Sequence, residues 1–175
     1  GDFSIYGSIR EQIEELNKLN IDYELIPGVS SFLGAASSLK VEYTVPEVSQ
    51  SLIITRRTGR TPVPEKESLS SFGEDNTSMV IFLSVDKIED VVRELTVEGG
   101  YKYDTPCTVI YKATWDDEKI VAGTLADIAK KTKEANITKT ALILVGGFLG
   151  NDYYNSKLYD KKFKHEFRDS NNKSY

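Results

Sequence analysis

Apolar positions along the chain switch between helical and strand spacing, and that switching predicts an α/β fold. Ile9, Ile13 and Leu16 fall at i, i+4 and i+7, one stripe of a helix over residues 5–19. Residues 22–26 alternate polar and apolar like a strand and stop at Pro27 and Gly28. Ser30 is placed to cap a second helix, residues 31–39, whose small side chains let a neighbouring backbone or a ligand come close. Residues 51–55, 79–83, 107–111 and 141–145 are short apolar runs of strand length. Residues 65–72 read as a short helix. Asp86 can cap the next one, with Ile88, Val91, Val92 and Leu95 on its buried face. Gly123 and Thr124 lead into a last helix that ends near Glu134, and Gly146–Gly147 ends the last strand. Residues 56–64 hold two prolines and a glycine, which suit a loop rather than a regular element.

Strands alternating with helices give an α/β class. The turn at residues 113–119, leading into Ile120 and Val121, reads as a hairpin and favours a mixed sheet over a purely parallel one. A boundary is expected near residues 45–50. Residues 1–45 would be the C-terminal part of an N-terminal α/β domain, and residues 46–175 a C-terminal α/β domain. Leu158 and Phe163 would anchor its polar tail. Gly1 to Ser4 is turn chemistry, with Ser4 as an N-cap. A glycine-led turn before a helix normally follows a strand, so the chain reads as starting mid-domain, unless Gly1 is a tag remnant.

Composition narrows the function classes. The 175 residues are 39% hydrophobic and 28% charged, which suits a packed core. A net charge of −5 argues against bulk nucleic-acid binding. The single cysteine, Cys107, excludes an internal disulfide framework and a cysteine-cluster zinc site. The single histidine, His165, excludes a two-histidine metal site, and its place in the polar tail fits a surface residue better than a catalytic triad. No apolar run reaches the length of a membrane span, and the polar opening is unlike a signal peptide, so the expected compartment is the cytoplasm.

Candidate chemistry is sparse. Neither GxGxxG nor GxxxxGK occurs. Ser30 and Ser31 follow a strand-like run and open a helix, where an anion or polar ligand could sit, or where the serine is only a cap. Arg56, Arg57, Arg60 and Lys66 concentrate positive charge in an acidic protein, which suits an anionic ligand. An ordinary solvated loop is the alternative, and the prolines tilt the balance by stiffening it. Asp116, Asp117 and Glu118 read as a solvated turn, and Trp115 as a packing residue.

Four ordered stretches together resemble the tetrapyrrole methylases, S-adenosylmethionine-dependent enzymes of the cobalamin and sirohaem pathways. They are residues 1–7 (GDFSIYG), 26–31 (IPGVSS), 111–125 (YKATWDDEKIVAGTL) and 141–146 (ALILVG). The loop at residues 55–65 (TRRTGRTPVPE), preceded by PEVSQ at 46–50, is similar to the branch that methylates carbon 11 of precorrin-4 or cobalt-precorrin-4. Lys157 to Asp160, Phe163 to His165 and Arg168 resemble that branch's ending. The family motif has proline where Phe3 stands.

The resemblance implies two α/β domains with the active site in the cleft between them, here with most of the first domain absent. It implies S-adenosyl-L-methionine as cofactor, contacted by Gly1, Asp2, Ile5, Ser30, Ser31, Leu83 and Ala113, with Ala141 on the adenine side. Arg56, Arg57 and Arg60 would meet the carboxylates of the tetrapyrrole substrate, an expectation from charge rather than from the family. No general base is evident, and no catalytic residue is named. A homodimer is expected, because an exposed half-cleft leaves apolar surface. The competing readings are a folded but inactive cofactor-binding or dimerisation fragment, a methylase for another ring carbon, and one for a modified histidine of a translation factor. The 55–65 loop speaks against the last two.

Overall fold

A computed structural model describes residues 1–73 and 77–150. The expected tail contacts of Leu158, Phe163, His165 and Arg168 lie outside the described residues. Five strands form one mixed sheet: β1 (Leu52–Arg56), β2 (Ser78–Phe82), β3 (Pro106–Tyr111), β4 (Lys119–Thr124) and β5 (Ala141–Val145), in the order β1-β2-β5-β3-β4. Only β1 and β2 pair in parallel; the other three pairs are antiparallel.

Side chains on a strand alternate between the two faces, and here both faces are covered. Met79, Ile81, Cys107, Val109, Ile143 and Val145 join one apolar cluster. Val80, Phe82, Ile110, Leu142 and Leu144 join a second cluster on the other side. This two-sided burial explains why the central strands are unbroken apolar runs in the sequence. The first cluster is closed by α3 (Leu69–Gly73), α4 (Ile88–Thr96) and α5 (Ile128–Glu134), through Leu69, Ile88, Val91, Leu95 and Ile128. The second is closed by α2 (Ser31–Leu39), whose Ala35 is fully buried, together with Tyr43 and Phe148. The Tyr43 hydroxyl donates to the Phe32 carbonyl at 2.6 Å, and the Ser78 hydroxyl donates to the Tyr43 carbonyl at 2.8 Å. These bonds tie the segment after α2 to the start of β2. Exposed ion pairs such as Lys18–Glu14 contribute at most about 1 kcal/mol each, whereas truncating one core side chain costs about 2–5 kcal/mol. The two apolar layers therefore decide the fold.

Several local expectations are corrected. The first helix, α1 (Ile9–Lys18), starts later than residue 5. The Asp2 carboxylate captures both the Ser4 amide and the Ser4 hydroxyl, a local turn that competes with the helix. Tyr6 and Ser8 then take left-handed backbone angles. Residues 22–26 form no strand, and Tyr23, Leu25 and Ile26 are exposed. Neither Ser30 nor Asp86 caps through its side chain. Ser30 stands before α2 without a capping bond, and Asp86 lies inside a 3-10 turn, Val85–Lys87, that precedes α4.

The link from β4 to α5 shows how closely the chain is fitted. The Asp127 carboxylate folds back to accept the Thr124 amide at 2.8 Å and pairs with Lys131 at 2.6 Å. A β-carbon on Gly123 would lie 2.2 Å from that carboxylate oxygen. Gly123→Ala should therefore lower stability by about 1–3 kcal/mol in urea denaturation, with unchanged secondary structure by circular dichroism. Burial pushes the Cys107 thiol above its ordinary pKa, and nearby Asp127 adds to the effect. A thiol reagent should label Cys107 only as fast as the fold opens, reaching completion in denaturant. Rapid labelling under native conditions would contradict its place between β4 and β5.

Candidate functional site

The strand directions gather the site at one edge of the sheet. β1, β2 and β3 end there, while β4 and β5 begin there. Register places Arg56 beside Phe82, and Tyr111 between Ala141 and Lys119. The connections leaving this edge are strained. Leu83, Lys112, Thr114 and Thr140 all hold left-handed backbone angles, with φ of 51°, 49°, 71° and 55°. Non-glycine residues take that region at a cost, and such residues concentrate at functional sites.

A cavity of about 480 Å³ opens at this edge. Ser31 comes to it from the start of α2, Leu83 from the end of β2, Ala113 from the turn after β3, and Ala141 from the start of β5. These four expected cofactor contacts come from distant parts of the chain and meet in one place. Phe82, Ile110, Leu142 and Trp115 supply the rest of an apolar wall, and Thr138 to Thr140 supply a polar rim. The size and the mostly apolar lining suit a small organic molecule carrying a few polar groups.

The turn between β3 and β4 is locked in place. The Glu118 carboxylate accepts the Thr114 amide at 2.5 Å and the Ser38 hydroxyl of α2 at 2.7 Å. The Lys112 ammonium pairs with Asp117 at 2.6 Å and lies 5.3 Å from the Trp115 ring centroid. That pairing holds the Asp117 carboxyl below the usual range. Asp117 and Glu118 of the acidic run thus serve as wiring for the turn. Trp115 is 63% exposed and faces the cavity, so the expectation of a packing residue fails. Its position in a hairpin turn was the available signal, because turn residues are seldom core.

The remaining expected cofactor contacts do not line this cavity. Gly1 sits alongside the start of α2: a β-carbon built on it would be 3.9 Å from the Ser31 amide nitrogen. Asp2 accepts the Gly28 amide at 2.8 Å besides its two bonds from Ser4, and these bonds hold its carboxyl below the ordinary range. The approach is so close that a β-carbon on Gly28 would lie 2.3 Å from the Gly1 carbonyl oxygen. Ile5 packs against the apolar layer that includes α2, and Ser30 is buried. Gly1, Asp2 and Ser30 thereby fix the turn that presents Ser31.

A second cavity, of about 840 Å³, adjoins the first; Leu83 and Asp86 line both. Arg56, Arg57 and Arg60 all reach it, but their wiring differs. Arg56 donates to the Thr61 carbonyl at 2.8 Å and to the Pro62 carbonyl at 3.1 Å, bracing its own loop. Arg57 is half-buried and paired with Glu94 at 2.6 Å and Asp90 at 3.4 Å. Arg60 is exposed and makes no hydrogen bond or ion pair among the described residues. Lys87, which the sequence did not single out, also lines this cavity.

Relatives share this arrangement of chain. A cobalt-precorrin-4 C(11)-methyltransferase of Methanocaldococcus jannaschii is 60% identical over 174 residues, covering 99% of this chain and 67% of the relative. A precorrin-4 C(11)-methyltransferase of Sinorhizobium sp is 45% identical over 96% of this chain and 66% of its own length. The chain thus spans about two thirds of the curated relatives it matches. The crystal structure of a cobalt precorrin-4 methyltransferase superposes with a TM-score of 0.82 at 41% identity, over 86% of this chain and 62% of that one. A Thermus thermophilus uroporphyrin-III C-methyltransferase complexed with S-adenosylhomocysteine shares the fold, with a TM-score of 0.68 at 17% identity over 85% of this chain and 64% of that one. The profile of the tetrapyrrole (corrin/porphyrin) methylases matches residues 1–129, and the chain belongs to that family.

Proposed function

We propose that this chain carries the methyl-donor pocket and part of the substrate cleft of an S-adenosylmethionine-dependent methyltransferase acting on carbon 11 of precorrin-4 or cobalt-precorrin-4, in cobalamin biosynthesis. The carrying observation is the meeting of Ser31, Leu83, Ala113 and Ala141 in one cavity that shares Leu83 with the arginine loop. The names and high identities of the relatives support the same reaction.

The cavity fits the donor by chemistry. Leu83, Ile110 and Trp115 offer apolar and aromatic surface for a base, and Ala113 and Ala141 let backbone groups approach it. Ser31 offers a hydroxyl to the amino-acid end. When bound, S-adenosylmethionine supplies an electrophilic methyl group on a sulfonium. The chain's own part is to orient. Leu83 stands between the two cavities and sets where donor and acceptor can face one another, and aligning reactants in this way can lower a barrier by roughly 7–11 kcal/mol.

In this reading residues 1–45 close an N-terminal α/β domain, and residues 46–175 form the C-terminal one. The protein acts as a homodimer in the cytoplasm, where a lone buried thiol such as Cys107 is ordinary. No helix among the described residues is long and apolar enough to cross a membrane.

Titration with S-adenosylhomocysteine should give one site per chain and change the fluorescence of Trp115, the single tryptophan. Ala113→Leu fills the cavity wall and should weaken binding about tenfold or more at an unchanged circular-dichroism spectrum. A folded wild-type chain that takes up no S-adenosylhomocysteine would contradict the reading. Sedimentation showing only monomer at high concentration would remove the dimer.

A further inference from the structure

Positive charge in the second cavity divides into wired and unwired groups. The Arg56 guanidinium is spent on three carbonyls of its own loop, and Arg57 on two acids of α4. The loop is closed further by the Thr58 hydroxyl, which accepts the Val63 amide at 3.3 Å. It is fastened to the end of β2 by the Ser84 hydroxyl, which accepts the Arg57 amide at 2.9 Å and donates to the Phe82 carbonyl at 2.7 Å. A loop held this firmly displays its tip in a fixed place. At that tip stands Arg60, and the turn between β2 and α4 contributes Lys87. Both line the cavity, and neither side chain has a hydrogen-bond or ion-pair partner among the described residues.

We infer that Arg60 and Lys87 form a two-point clamp for carboxylate arms of the ring, while Arg56 and Arg57 only position the loop. This rests on the methyltransferase reading and assigns the substrate contacts within it. Two acids, Glu11 and Asp86, also line the cavity. The cavity is therefore not uniformly positive, and it suits a ligand with separated anionic arms better than a compact anion. Guanidinium and ammonium each form charge-assisted hydrogen bonds to carboxylate, the guanidinium through two parallel donors.

The test uses the whole chain and uroporphyrin III, a stable tetrapyrrole with carboxylates on every pyrrole ring, followed by its absorption band. Arg60→Gln and Lys87→Gln should each weaken ring binding about tenfold, with S-adenosylhomocysteine affinity and circular dichroism unchanged. Lys66→Gln removes a cation of the neighbouring segment that does not line the cavity and should hold ring affinity within about twofold. The clamp is overturned if the Arg60 or the Lys87 variant binds the ring like wild type, or if Lys66→Gln loses as much as they do. A wild-type chain that binds S-adenosylhomocysteine but not the ring also overturns it. A chain that binds the ring through Arg60 and Lys87 but not S-adenosylhomocysteine leaves the clamp standing and sinks the methyl-donor reading instead.

Discussion

β2 has no solvent face, and the geometry of the site depends on where that strand stops. All five of its residues are buried, with Met79 and Ile81 in one apolar layer and Val80 and Phe82 in the other. One more residue in register would send Leu83 into the first layer. Instead the backbone turns left-handed at Leu83 and leaves the side chain 72% exposed. That turn separates the two cavities, and Ser84 just beyond it receives the arginine loop. The apolar layers thus supply the free energy that holds a strained leucine where the two cavities meet.

The fold was legible where burial leaves a local mark. Four apolar runs and the stripe Ile88, Val91, Val92, Leu95 announce themselves, because a two-sided sheet and a one-sided helix have different periods. Residues 22–26 carry a strand pattern without a strand, since pairing is non-local and no partner lies beside them among the described residues. Cap expectations at Ser4, Ser30 and Asp86 failed at a finer level: the Asp2 carboxylate two residues away takes the Ser4 hydroxyl, and neither Ser30 nor Asp86 makes a side-chain capping bond.

The grouping of the edge-cavity residues was expected mainly through resemblance. Nothing in the residue types of Ser31, Leu83, Ala113 and Ala141 connects them, and it takes the sheet order to bring their four elements to one edge. Charge did point to the loop with Arg56, Arg57 and Arg60, yet composition could not tell a brace from a ligand contact. That distinction lies in partners such as Glu94, 37 residues away in sequence. The packing role expected of Trp115 failed, and Lys87 escaped notice, because the side a turn faces is a tertiary property. The acidic run at 116–118 was read as solvated, whereas Glu118 in fact joins the hairpin to α2.

The central claim is that the edge cavity between α2, β2, β3 and β5 holds the methyl donor. A crystal structure of this chain grown with S-adenosylhomocysteine tests it most directly. The account predicts density for the ligand against Ser31, Leu83, Ala113 and Ala141, with its sulfur turned toward the arginine loop. Density lodged elsewhere on the chain, with this cavity occupied only by solvent, would contradict it.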